Sequence, residues 1–226
     1  MRVRDDFDAA VFVDTAEHVW RPSPTPGVER MMLERVGDED AVATSFVRYA
    51  PNMRFPHHVH GLGEEFIVLE GDFRDAAGCY TAGRYLRHPP GSAHAPWSEG
   101  GCLLFVKLKQ FAPDDGAWVH RDLATLQRGA GGATARTVLH RYRDEGVEII
   151  DARAGTCVHE AASNQVTELL VLDGRVVVND KALGPLGWAR LPRGTDVAIA
   201  FERDGRVWLK RRASDVDRAI ARLKAA

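Results

Sequence analysis

Apolar residues in this chain come in short runs. AVATSFVRY (41–49), EFIVLEG (65–71) and CLLFVKL (102–108) occupy the first half; VEIID (147–151), ELLVLDGRVVVN (168–179), DVAIAF (196–201) and RVWLKR (206–211) occupy the second. Gly, Pro, Asp and Asn punctuate them, and many short strands separated by turn residues predict a sandwich or barrel. Helical spacing emerges only at the end, where Ser214 is placed to cap a helix and Val216, Ile220 and Leu223 recur on one face. The expected fold class is all-β with a short C-terminal helix.

The strand pattern is written twice. EEFIVLEG (64–71) matches TELLVLDG (167–174), YLRHPPG (85–91) matches WARLPRG (188–194), and LFVK (104–107) matches VWLK (207–210), always 103 residues apart. Upstream, LERVGDED (33–40) resembles LHRYRDEG (139–146) at a spacing of 106, so one loop differs in length. A constant spacing across separated matches predicts two tandem copies of one β fold. The expected domains are 1–125, an N-terminal arm plus the first barrel, and 126–226, the second barrel plus the helix. GAGGA (129–133) reads as the linker, and the Pro-rich RPSPTPG (21–27) sets off an arm whose AVFV suits pairing with a sheet edge of its own or another chain.

Composition narrows the function classes. The 226 residues carry a formal net charge of −2, which gives no global attraction to nucleic acid or anionic membrane. No run approaches the ~18–20 apolar residues of a membrane span, and the start MRVRDDFDAAVF is acidic where a signal peptide would be apolar. A cytoplasmic protein is expected. Cys79, Cys102 and Cys157 are too scattered for a zinc knuckle or disulfide framework, and Cys102 reads as a small buried hydrophobe.

Candidate chemistry concentrates in PHHVHGLGEEFIVLEG (56–71) and GRYLRHPPGSAH (83–94). Residues two apart on a strand face one side, so His58 and His60 can aim two imidazoles at one point. Glu64 adds a carboxylate and His94, after a Pro-x-Gly turn, a third imidazole. Such a set suits one divalent transition ion: Fe, Zn, Mn or Ni. Leaving these groups buried with no ion would cost several kcal/mol.

These two segments resemble the paired motifs of the cupin superfamily: His58, His60, Glu64 and Gly71 in the first, Gly83, Pro89, Gly91 and His94 in the second. One departure is Ser98 where the second motif commonly ends in Asn. The run from Glu64 to Phe111 is similar to the ChrR-type subgroup, named for the cupin-like domain of a zinc-dependent anti-sigma factor and also holding dioxygenase-like members. The resemblance implies two tandem jelly-roll barrels, a bicupin, with metal ligands His58, His60, Glu64 and His94. A spacing of 103 maps these onto Ala161, Ser163, Thr167 and Val197, none an imidazole or carboxylate, so the second barrel is expected to be silent. His159 and Glu160 lie near the first of these positions and enter it only through a loop slip.

Around the site, Phe66 and Val68 share the parity of Glu64, and Tyr49, Leu104, Val106 and Trp97 are further pocket candidates; the inward strand face is open. Arg48, Arg84 and Arg87 are candidate anchors for a carboxylate, though Arg87 recurs as Arg190 and Glu65 as Glu168, which favours a structural pair. His57 and His88 are expected at the surface or behind the ligands. Three His and one Glu leave positions of an octahedral ion for substrate or dioxygen, which points to a metal-dependent dioxygenase acting on a small carbonyl or phenolic compound. The alternative is a sensor or regulatory cupin binding zinc and a small ligand. Direct sigma-factor binding is disfavoured, because the arm lacks the Cys and the length of that family's separate zinc domain. Homodimerisation is open.

Overall fold

The computed structural model describes residues 1–17, 19–38, 41–126, 128, 132–212, 216–218 and 220. It divides into two compact units, the first Met1–Asp5, Val19–Thr125 and Ile220–Ala226, the second Asp6–His18 and Leu126–Ala219. Both are antiparallel jelly-roll barrels, as the alternation of short apolar runs and turns predicts. Among the described residues no helix is long and apolar enough to cross a membrane.

In the first unit the main sheet runs Arg2–Val3, Val28–Val36, Val42–Tyr49, Cys102–Leu108, Glu64–Asp75, Arg84–His88, Val119–Asp122. A two-stranded ribbon, His58–Val59 with Ala93–His94, sets His58 directly opposite His94. Between the strands lies an apolar cluster that includes Tyr49, Phe66, Val68, Phe73, Leu104 and Val106. The inward face is therefore the one that carries these residues.

The second unit repeats the frame. Its larger sheet runs Thr134–Tyr142, Glu145–Ala152, Gly205–Arg211, Thr167–Asp173, Trp188–Leu191, and its smaller one Cys157–Glu160, Val197–Phe201, Val176–Val178, Lys181–Leu183. Even the irregularities recur. The register breaks between Met32 and Glu34 and between Val138 and His140, then between Leu103 and Leu104 and again between Val171 and Asp173. Gly71 and Gly174 both turn the chain at positive φ, and a Cβ would lie 1.9 Å from Gly101 O and 2.6 Å from Asp204 O respectively. Only glycine fits such an approach.

One segment differs from its expected place. The sequence reading joins the whole arm to the first barrel, whereas Val11–Val13 adds a strand to the edge at Trp188–Leu191, within the second unit. The apolar VFV gains a hydrogen-bonded edge there, and Phe12 packs on that barrel's core. At the other end Val216–Arg218 and Ile220 are helical, with Val216 and Ile220 buried. Ser214, Leu223 and most of the expected linker (129–131) lie outside the described residues.

Both barrels also bury a charged layer on the faces turned away from their apolar cores. Arg87 is fully buried between Glu65 (3.3 Å) and Asp115 (2.7 Å), and Tyr85 donates a hydrogen bond to Glu65 at 2.7 Å. In the second unit Glu168 takes Arg212 at 2.6 Å, and Arg190 donates to the carbonyl of Asp6 at 2.6 Å. Arg87 and Arg190 are thus held by structural partners.

Candidate metal centre

Each ligand candidate is delivered by local structure. Glu64 begins the central strand, opposite His88 on one side and Leu108 on the other. His58 and His94 face each other across the ribbon, and His60 follows two residues on, its N–H and carbonyl held by Ser92 O and Gly91 N at 2.8 Å each. The result is convergence: ring centroids of His58, His60 and His94 lie 4.7–4.9 Å apart. One ligand atom from each of these histidines and from Glu64 falls within 4.8 Å of all the others.

Ring orientation follows from what holds the other nitrogen. Nδ1 of His58 meets Pro56 O at 2.9 Å, Nδ1 of His60 meets Ser92 Oγ at 3.1 Å, and Nδ1 of His94 meets Asp75 Oδ2 at 3.2 Å. Engaging Nδ1 leaves Nε2 to face the centre, which is how proteins commonly fix an imidazole for a metal. His60 Nε2 and His94 Nε2 stand 3.4 and 3.5 Å from Glu64 Oε2. Among the described residues, buried His60 Nε2 and Glu64 Oε2 have no hydrogen-bond partner. A cation placed among them would satisfy both, so the residues fit a metal ion.

The electrostatics agree. Burial, aided by the neighbouring His94, His58 and His88, pulls His60 down to about 3, and burial pushes Glu64 up to about 7. The imidazole is therefore neutral, as a ligand must be, and a buried carboxylate calls for positive charge beside it. Asp75 stays below the ordinary carboxylate range, because hydrogen bonds from His94 and Ala77 outweigh the opposing effect of burial.

The cluster opens on a cavity of about 270 Å³. Of the pocket candidates, Tyr49, Phe66, Leu104 and Val106 line it, whereas Val68 and Trp97 do not. Val68 lies deeper in the fully buried core, and Trp97 bridges Arg54 and Arg74 while its ring faces the Arg54 guanidinium. None of the suspected arginine anchors reaches the cavity. Arg48 pairs with Glu29 and stacks over Trp20, Arg84 pairs with Asp122, and Arg87 belongs to the buried layer. Arg30 lines it instead.

His57 is exposed, whereas His88 is buried beside the ligands, 3.9 Å from Glu64 Oε2 and stacked near His60. Trp118 and His120 pack against the far side of His88. Alternation held a signal for this: His88 shares the face of buried Leu86, and its neighbour Arg87 takes the other. Asp75 gave no such signal, since it closes the hairpin between the two motifs and belongs to neither. Cys102 is buried, which pushes its thiol up to about 12 and leaves it unreactive.

Register corrects one correspondence between the copies. Val197 pairs with Glu160, as His94 pairs with His58, so Glu160 rather than Ala161 holds the His58 position. Gly194 N binds Ser163 O as Gly91 N binds His60 O, so Ser163 does match His60. The second barrel therefore has one more residue between these two positions. Among the described residues Glu160 joins no metal-ligand group; its carboxylate pairs with Arg136 and Arg211.

Comparison with known proteins places this frame. Residues 8–112 match the family model of the ChrR cupin-like domain. The whole chain is similar in fold to solved cupin structures. A Nostoc punctiforme protein provisionally described as a dioxygenase matches with a TM-score of 0.73 at 15% identity, over 91% of this chain and 83% of that one. The pirin YhhW of Escherichia coli, solved with nickel(II), matches at 0.67 and 12% identity, over 90% and 98%. Oxalate decarboxylase of Bacillus subtilis, with Mn(II) centres, matches at 0.61 and 10%, over 88% and 76%. No curated protein sequence matches the chain.

Proposed function

We propose that the first barrel is a mononuclear metal enzyme, a dioxygenase of small carbonyl or phenolic compounds, and that the second barrel carries no ion. The observation behind this is the set of three engaged Nδ1 atoms, which turns three Nε2 atoms and Glu64 Oε2 onto one point at the end of an apolar cavity. His58, His60, Glu64 and His94 would hold a divalent transition ion, which when bound would supply Lewis-acid and redox activation of an oxygen-chelating substrate.

The chain's own part is positioning and dryness. Asp75, Ser92 and Pro56 O fix the three rings, which lowers the reorganisation needed when substrate charge develops. Phe66, Leu104 and Val106 exclude water from one wall, and Tyr49 stacks on Phe55 at another, its phenol kept protonated by burial. A planar substrate body would lie against these side chains with its oxygens toward the ligands.

Metal analysis of protein purified without added metal, followed by oxygen uptake with β-diketones and hydroxyaryl ketones, tests the reading. About one ion per chain and substrate-dependent uptake are expected. Tightly held zinc, with no uptake across the carbonyl panel, would sink it.

A further inference from the structure

Arg30 is the residue of the cavity that the site's chemistry leaves unused. It lies on Val28–Val36 and lines the same cavity as the four ligand candidates. Among the described residues none makes a hydrogen bond or ion pair with its guanidinium, and the adjacent Glu29 is paired with Arg48. A guanidinium offers five donors in a planar fork that matches a carboxylate.

The second barrel shows what this position does when a carboxylate is present. Arg30 pairs with Val47, and Arg136 pairs with Ile150, at the same place in the repeated frame. Arg136, at the rim, pairs with Glu160, which holds the His58 position, and with Glu148 at 3.1 Å. In the first barrel Ser45 stands where Glu148 stands, and Leu108 where Arg211 stands. The first barrel thus retains the arginine of this pair, and among the described residues no carboxylate pairs with it.

We propose that Arg30 anchors a carboxylate carried by the ligand, making the site selective for small amphiphilic acids whose other oxygens reach the metal ligands. This rests on the metal-enzyme reading for the chelating end of the ligand, but not for the carboxylate end. Charge favours the same class: Arg30 lines the cavity with one carboxylate, Glu64, and a divalent ion held by the ligand candidates would leave the interior positive. Size does too. A cavity of ~150 Å³ holds benzene, so about 270 Å³ admits a ring with a short acidic side chain.

Cobalt(II)-loaded protein titrated with 3,4-dihydroxyphenylacetate and with its methyl ester provides the test, read from the visible spectrum. The two probes share a chelating catechol and differ in the carboxylate. The wild type should bind the acid at least tenfold tighter than the ester. Arg30→Gln should bring the two within about twofold by weakening the acid alone, with one cobalt per chain retained, and Arg30→Lys should recover part of the preference. Equal binding of both probes by the wild type, or an undiminished preference in Arg30→Gln, overturns the proposal. A protein that takes up no cobalt refutes the metal reading instead. The anchor is then judged by calorimetry with 3-phenylpropionate, which lacks a chelating group. Binding lost in Arg30→Gln supports it, whereas no binding by the wild type, or binding unchanged in the variant, refutes it.

Discussion

Where the first barrel has His58, Glu64, His88 and His94, the second has Glu160, Thr167, Leu191 and Val197 at the same points of the strand register. Around the first set lie a cavity and buried atoms with no hydrogen-bond partner among the described residues. Around the second, Leu191 and Val197 join a continuous core with Leu169, Val171 and Phe201. Glu160 is neutralised by arginines at the rim. The jelly roll closes in both cases, so the His and Glu residues of the first barrel are not there to hold the frame. Their polar burial disfavours folding by itself, a cost that a bound cation would offset.

The largest expected consequence concerns the ion. His60→Ala should take metal content from about one per chain to near zero while the far-UV spectrum stays that of a β protein; a variant that unfolds would erase the contrast between the barrels. Glu160→Ala should leave metal content untouched and lower unfolding free energy by about 1–3 kcal/mol. The buried-pair value of ~3–5 is reduced because Arg136 and Arg211 are each about a third exposed. Urea denaturation measures it, and metal loss in that variant would show that the second barrel is not silent. Asp75→Asn frees the His94 ring and should weaken metal affinity 10–100-fold in chelator competition with little change in melting temperature.

Acidity separates the barrels more gently. Burial holds Glu64 near 7 in the metal-free protein, so a proton must leave before the carboxylate binds an ion. Apparent affinity should fall toward tenfold per pH unit below about 7 and level off above it; a flat profile between pH 5.5 and 7 would exclude Glu64 as a ligand. Smallest of all, Ser163→Ala at the His60 counterpart should change neither metal content nor its pH dependence.

Much of this was legible from residue order. Short apolar runs between Gly and Pro specified antiparallel strands, and the spacing of 103 specified a second copy, because turn glycines such as Gly71 and Gly174 have no substitute. The four ligand candidates stood out because chemistry and period-two alternation coincide in them. What escaped depends on register. A constant spacing cannot show an inserted residue, so Glu160 was passed over for Ala161. Arg30 lies beyond a bulge between Met32 and Glu34, where alternation no longer tells which face a side chain takes. The arm's partner strand could not be read either, since an edge pairs through backbone and asks little of sequence.

The extra residue between Glu160 and Ser163 also bears on how two such barrels part company in descent. A substitution at a ligand position can be undone by another substitution. An insertion between two ligand positions lengthens the backbone that joins them, so restoring the pair asks for compensation in that loop as well as in the side chains. In the barrel without the ligand set the interior is filled by valine, leucine and paired charge. The difference between a cavity and a filled wall is written in one added residue and four replaced side chains.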